Sequence, residues 1–269
     1  METIETEEVA FLSRKILELN KQLIESEKAK SRFLSLIASE LNNPMTALLG
    51  MIPHLAPMSG DSREDIFEFI HDEALLLNSR IQNLVAASEI ESGRVDVTFA
   101  LVNPKILIEE AAEGFKYKLK RKNLKIIIES TLEEKIVSDP KKLYLILKNV
   151  LANACDYGEA NGVVHVIITK SDHSVTIAIK NQGQGPDVEY KAQVFTRFAP
   201  GTEGTHGLGL GLSIARELCV QMLGSIDYEV NGTTVIFTVT LPLQESIADS
   251  EACGSNEFLF ESFDDAIEL

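Results

Sequence analysis

The sharpest local chemical signal in this chain is Gly207-Leu208-Gly209-Leu210-Gly211-Leu212-Ser213-Ile214, which opens an amphipathic helical run. Glycines there let backbone N–H groups approach phosphate oxygens, and the start of the helix adds the positive end of its dipole. Alone, a glycine run also fits a tight helix entry. A Rossmann-type dinucleotide site is excluded, because no strand leads directly into the run and no acidic residue follows at the ribose position. Upstream, Asn149 and Asn153 are four apart in an apolar helical pattern, which puts both amides on one face. One asparagine in such a setting is an ordinary helix-end or surface residue. Two, followed by Asn181-Gln182-Gly183-Gln184-Gly185 and by Val194-Phe195-x-x-Phe198, are more than packing alone explains.

Several elements must position these groups. Val9, Leu12, Ile16, Leu19 and Leu23 recur at alternating spacings of three and four, the seam of a coiled coil over residues 1–30. The seam weakens at Ser26 and Lys30 and resumes at Phe33, Ile37 and Leu41, and Pro44 should kink the helix. A turn at Pro57–Ser62 and a capping box from Asp61 and Glu64 start a second helix. That helix carries Ile66, Ile70, Leu77, Ile81 and Leu84 on one face and ends near Ser92-Gly93. An antiparallel helical hairpin over 31–93 cannot bury both stripes alone, so pairing as a dimeric four-helix bundle is expected. A generic coiled-coil dimeriser fits the same pattern. From residue 95 to 243 the pattern turns α+β. Strands are predicted at 95–101, 124–129, 163–169, 175–180, 225–230 and 234–241, and helices at 104–121, 140–157 and 210–223. They predict a sandwich with helices on one face of a mixed sheet. Residues 246–269 are acidic, contain Phe258, Phe260 and Phe263, and read as a flexible tail.

Composition sets limits. A net charge of −16 argues against nucleic-acid binding and against docking on anionic lipid. No apolar run approaches the roughly 18 residues that span a bilayer. Cys155, Cys219 and Cys253 are odd in number and lack metal-type spacing. A cytoplasmic protein is expected.

In order and spacing, Asn149–Tyr157, Asn181–Gly185, Phe195–Phe198 and Gly207–Gly211 resemble the N, G1, F and G2 boxes of one ATP-binding domain. It is shared by histidine kinases, Hsp90-type chaperones, mismatch-repair and gyrase ATPases and anti-sigma-factor kinases. Asp139-Pro140 also stands where histidine kinases often have it. The resemblance implies a Bergerat-type α/β sandwich that binds ATP through Asn149, Asn153, Tyr157, Asn181, Gly183, Gly185, Gly207, Gly209 and Gly211, with Mg²⁺ held at Asn153. Phe33–Gly50 resembles the histidine kinase H box, matching at Glu40, Leu41, Pro44, Thr46 and Gly50. The resemblance, covering about residues 30 to 243, implies a homodimer whose partner is a response regulator or another histidine kinase.

The departures are as informative. Ser39 stands at the acceptor histidine. Its hydroxyl needs an activating base and would give a stable ester, so ordinary histidine-to-aspartate phosphotransfer from this position is excluded. His54, His71, His165, His173 and His206 lie elsewhere in the sequence. Asn181 replaces the aspartate that receives the adenine amino group; its amide oxygen still accepts, without charge, so weaker affinity is expected. Asp156 stands where lysine is common, which places negative charge near the phosphates, and Ala199–His206 is a short form of the ATP lid. Glu40-x-x-Asn43 matches the motif with which family members dephosphorylate their regulator, an amide orienting an in-line water. Asn43 is also acceptable simply as the residue before Pro44. The expected function is therefore an ATP-binding two-component signalling protein acting as a pseudokinase regulator or response-regulator phosphatase. The alternatives are an active kinase phosphorylating Ser39 or a partner, and a non-catalytic dimeric scaffold.

Overall fold

The structure is a computed structural model and describes residues 15–21, 23–24, 38, 41–55, 61–93, 96–132, 134–183, 185, 193–197 and 209–243. Residues 15–21 and 23–24 are helical, and the seam residues Ile16, Leu19 and Leu23 are exposed in the single chain. Val9, Leu12, Phe33, Ile37 and the acidic tail lie outside the described residues, as do the side chains of the Asp61–Glu64 capping box. The described part of α1 covers residues 41–51, with Pro44 buried, and a 3-10 turn follows at Ile52–Leu55. Helix α2 runs Asp61–Glu91 and ends before Gly93, whose φ of 66° suits a residue without a side chain.

The mixed sheet has the order β2-β4-β5-β7-β6, from Lys125–Ser130 (β2), Val163–Lys170 (β4), Ser174–Gln182 (β5), Ser225–Asn231 (β6) and Thr234–Pro242 (β7). Only β2–β4 is parallel. Branched and aromatic residues at every second position of β4, β5 and β7 are buried: Val164, Val166 and Ile168, then Val175, Ile177 and Ile179, then Val235, Phe237 and Val239. Helices α3 (Pro104–Glu113), α5 (Pro140–Tyr157) and α6 (Leu210–Gln221) close the core with Leu107, Ile108, Leu143, Ile146, Leu147, Leu151 and Ile214. This is the α/β sandwich expected from sequence. Among the described residues no helix is long and apolar enough to cross a membrane.

Three local expectations change. The helix predicted at 104–121 divides at Gly114-Phe115 into α3 and α4 (Lys116–Lys122), as Phe115 packs against the core. Strand β1 is only Ala100–Val102, and its antiparallel partner β3, Ile136–Ser138, is too short to show in the sequence. The reason lies at Asp139. Its Oδ2 accepts from Thr98 N at 2.9 Å, so a side chain takes a backbone donor that a longer strand would have used. Asp139 is also the N-cap of α5. Its Oδ1 accepts from Lys142 N at 2.9 Å, and Lys142 Nζ lies 3.0 Å from Oδ2. Asp139→Ala removes all three bonds from a buried position and is expected to cost about 2 kcal/mol. The check is a fall in the urea midpoint with an unchanged slope.

Candidate functional site

Helix α5 carries the predicted site asparagines. Pro140 and the Asp139 cap fix its start, and Lys122 Nζ donates to the carbonyls of Cys155, Asp156 and Gly158 at its end. Asn149 is buried, Asn153 is half-buried one turn on, and Tyr157 is exposed another turn on. A Cβ on Gly211 would lie 2.9 Å from Asn149 Oδ1, so the start of α6 sits directly on this amide. Gly209 precedes α6 with φ 63° and gives it no side-chain cap, which leaves the first N–H groups of the helix for another acceptor. Two turns along α5, roughly 12 Å, β5 meets the helix end through a Gly158–Gly183 bridge. A Cβ on Gly183 would lie 2.0 Å from Tyr157 O, so only glycine fits. A Cβ on Gly185 would lie 2.9 Å from the Val230 methyl groups.

Asn181 ends the inward-facing row of β5, is 3% exposed, and its Nδ2 has no hydrogen-bond partner among the described residues. Among the described residues no side chain bonds the Asn153 amide, and no group of three or more His, Cys, Asp or Glu suits a metal ion. Asn43 is exposed on α1. Ser39, Glu40, Gly207, Phe198 and Ala199–His206 lie outside the described residues. Asp156 forms an ion pair with Lys118 of α4, so its charge is compensated locally. The Cys155 and Cys219 thiols are pushed up to about 12 by burial and stay protonated.

The sequence did not reveal how α2 docks on this domain. Asn83 Nδ2 donates to Asn149 Oδ1 at 2.8 Å, and Asn149 Nδ2 donates back to Asn83 Oδ1 at 2.7 Å. Beside them Lys148 Nζ donates to Gln82 Oε1 at 3.0 Å. Ala86 and Ala87 are buried in the core cluster, with Leu84 and Ile90 packed against it. Arg197 forks onto Glu217 of α6 at 3.0 and 2.6 Å and reaches Glu91, the last residue of α2, at 2.6 Å. The Glu217 hydrogen bond, foremost, raises the Arg197 pKa. Farther up α2, Glu68 meets Lys120 at 2.8 Å and His71 stands edge-on to Tyr117. The expected stripe of α2 is therefore split: Leu84 faces the core, while Ile81 is exposed. The adjacent polar pairs Gln82-Asn83 and Lys148-Asn149 were the available signal.

Known proteins similar to this chain share its fold. Residues 138–245 match the family described as histidine kinase-, DNA gyrase B- and HSP90-like ATPase. Sensor protein VanS of Enterococcus faecium is 26% identical over 231 residues, which cover 83% of this chain and 60% of VanS. The chain spans still smaller shares of other curated relatives, 34% and 21% for two of them. ShkA, solved in complex with AMPPNP, superposes with a TM-score of 0.57 at 22% identity, covering 80% of this chain and 47% of ShkA. ThkA in complex with the response regulator TrrA gives 0.52 at 23% identity, covering 79% of this chain and 61% of that one. The chain thus carries a histidine kinase-like ATPase domain, of the kind found in two-component sensor proteins.

Burial lowers the Lys148 pKa from 10.5 to about 8. Below about pH 8 the native state bears the full cost of a buried ammonium. Between about pH 8 and 10.5 the unfolded chain binds the proton that the native state has lost, so stability rises with pH. The gain across that window is on the order of 3 kcal/mol. Urea denaturation of wild type and Lys148→Met is the check. The variant's advantage should be largest near neutral pH and shrink by that amount as the pH passes 10.

Proposed function

We propose that this chain is a histidine kinase-like, ATP-binding signalling protein of a two-component system that lacks the phospho-acceptor and works as a pseudokinase regulator or response-regulator phosphatase. The observation that carries the reading is the seating of Gly211 and the uncapped start of α6 against Asn149. A helix N-terminus with glycine-permitted access is an anion site. It lies against Asn149, with Asn153 one turn on along α5, and the far end of that helix meets β5, where Asn181 holds a donor without a partner among the described residues.

These residues fit a nucleoside triphosphate. Asn149 and the Gly207–Gly211 segment would take the phosphates, Asn153 the Mg²⁺, and Asn181, Gly183, Gly185 and Tyr157 the base side. ShkA's complex with AMPPNP supports the assignment. Bound ATP supplies a transferable phosphoryl group. What this chain lacks is a nucleophile suited to reversible transfer, since Ser39 would form a stable ester. Glu40 and Asn43 keep the pattern for placing water on a regulator's aspartyl-phosphate. The ThkA–TrrA complex supports a response regulator as partner. Exposed Met45, Leu49 and Ile52 near α1 and Ile81 and Val85 on α2 offer apolar surface for a second copy.

Restoring the acceptor tests the reading. With radiolabelled Mg-ATP, Ser39→His should acquire acid-labile, base-stable label, and wild type should acquire none. Adding Asn153→Ala should remove the label by deleting the metal ligand. Acid-stable label on wild-type Ser39 would make the protein a serine-phosphorylating enzyme instead. Absence of nucleotide binding by wild type would leave only a scaffold.

The docked α2 sets a second expectation. The Asn83 pair takes one of the two Asn149 N–H donors and its oxygen, so a ligand group that needs either competes with α2. Asn83→Ala should therefore tighten Mg-ATP binding several-fold, because exchanging a hydrogen bond worth about 1 kcal/mol is no longer required. Titration calorimetry reads the change directly, and unchanged or weaker binding would show that α2 does not compete.

A further inference from the structure

Among the described residues of the site, Asn181 holds a buried amide donor with no partner. Val175, Ile177 and Ile179 precede it in the inward-facing row of β5, and its backbone is engaged in the ladder opposite Val235. Its side chain is 3% exposed, and Nδ2 finds no acceptor among the described residues. The nearest structural constraint is Gly183, where an added Cβ would stand 3.4 Å from Nδ2 and 2.0 Å from Tyr157 O. A larger residue at 183 would close off this corner. A buried donor without a partner carries its full desolvation cost, which a ligand acceptor would recover.

The chemistry at this position differs in kind from that of a carboxylate. An ionised aspartate can only accept, so it favours a purine bearing a 6-amino donor and repels a 6-oxo group. A carboxamide presents an acceptor and a donor in one plane. Toward adenine, Oδ1 accepts from the 6-amino group and Nδ2 donates to ring N1. Toward a 6-oxopurine, Nδ2 donates to O6 and Oδ1 accepts from N1–H. Both pairings satisfy the Nδ2 that the protein leaves open.

We propose that Asn181 makes this a dual-purine site, taking 6-oxopurine nucleoside triphosphates alongside ATP. The inference rests on the nucleotide-binding reading above and specifies its substrate class.

The test is calorimetric titration of the full chain with Mg-ATP, Mg-GTP and Mg-ITP, for wild type and Asn181→Asp. ITP carries the 6-oxo group without the 2-amino group of guanine, so it separates recognition at position six from steric fit. For wild type, ITP should bind within about tenfold of ATP, because each makes the same number of bonds to the amide. In Asn181→Asp the preference for ATP over ITP should widen by about a hundredfold or more, since two acceptors then face each other in a dry site. If wild type binds ATP but both 6-oxopurines bind over a hundredfold more weakly, the dual-purine assignment is wrong while the ATP reading stands. An ATP-to-ITP ratio unchanged by Asn181→Asp overturns it equally. Should the variant fail to fold, the wild-type ratio decides alone. No binding of any of the three nucleotides removes the nucleotide reading and this inference with it.

Discussion

A polar residue on a helix packed on several sides must be answered by its neighbours, and that constraint organises this protein. Helix α5 lies on β5 between α3 and α6, with Leu143, Ile146, Leu147, Val150 and Leu151 fully buried. Lys148 and Asn149 sit in the same helix, also buried. Left unanswered, each would carry a desolvation cost larger than the net worth of an ordinary hydrogen bond. Gln82 and Asn83 answer them from α2. The position of the long helix therefore follows from the polar content of α5 as much as from the burial of Ala86 and Ala87.

The arrangement couples the helical region to the site. The amide that fixes α2 against the domain is the one on which the start of α6 rests, since Gly211 approaches Asn149 closely enough to exclude a side chain. Arg197 extends the link by joining Glu217 of α6 to the last residue of α2. A ligand that recruits Asn149 must compensate for the lost Asn83 pair, and release of α2 must leave Asn149 another partner. Differential contact of this kind is what allows binding to bias a conformational equilibrium.

Much of the domain was legible because its signals are local and redundant. The alternation in β4, β5 and β7 and the helical period of α5 each report one buried face, and the structure buries those faces. Asp139-Pro140 marked the start of α5, though not that the same carboxylate would hold Thr98 and so shorten β1. Strand β3 was missed because three residues carry no period. The α2 contacts were illegible for a different reason. Periodicity ranks residues by apolarity, so Asn83 beside Leu84 looked like the solvent side of the stripe. A reciprocal amide pair joins residues 66 positions apart, and neither member declares its partner. The Asp156–Lys118 ion pair was illegible in the same way, because its two members come from different helices.

On the proposed reading, the departures from the family pattern share one physical character. There Ser39 stands where an ionisable ring is expected, Asn181 where a carboxylate is expected, and Asp156, in place of a common lysine, pairs with Lys118. Each replaces or cancels a charge, whereas the neutral apparatus persists: two amides on α5, the glycine that seats α6 on Asn149, and the glycine that admits the end of β5 to the end of α5. Charge is what drives phosphoryl transfer, through an activated nucleophile and compensated phosphates. Neutral amides and glycines are sufficient to shape a pocket and hold a ligand in it. On the proposed reading, a site that loses the first set and keeps the second registers a nucleotide more than it consumes one.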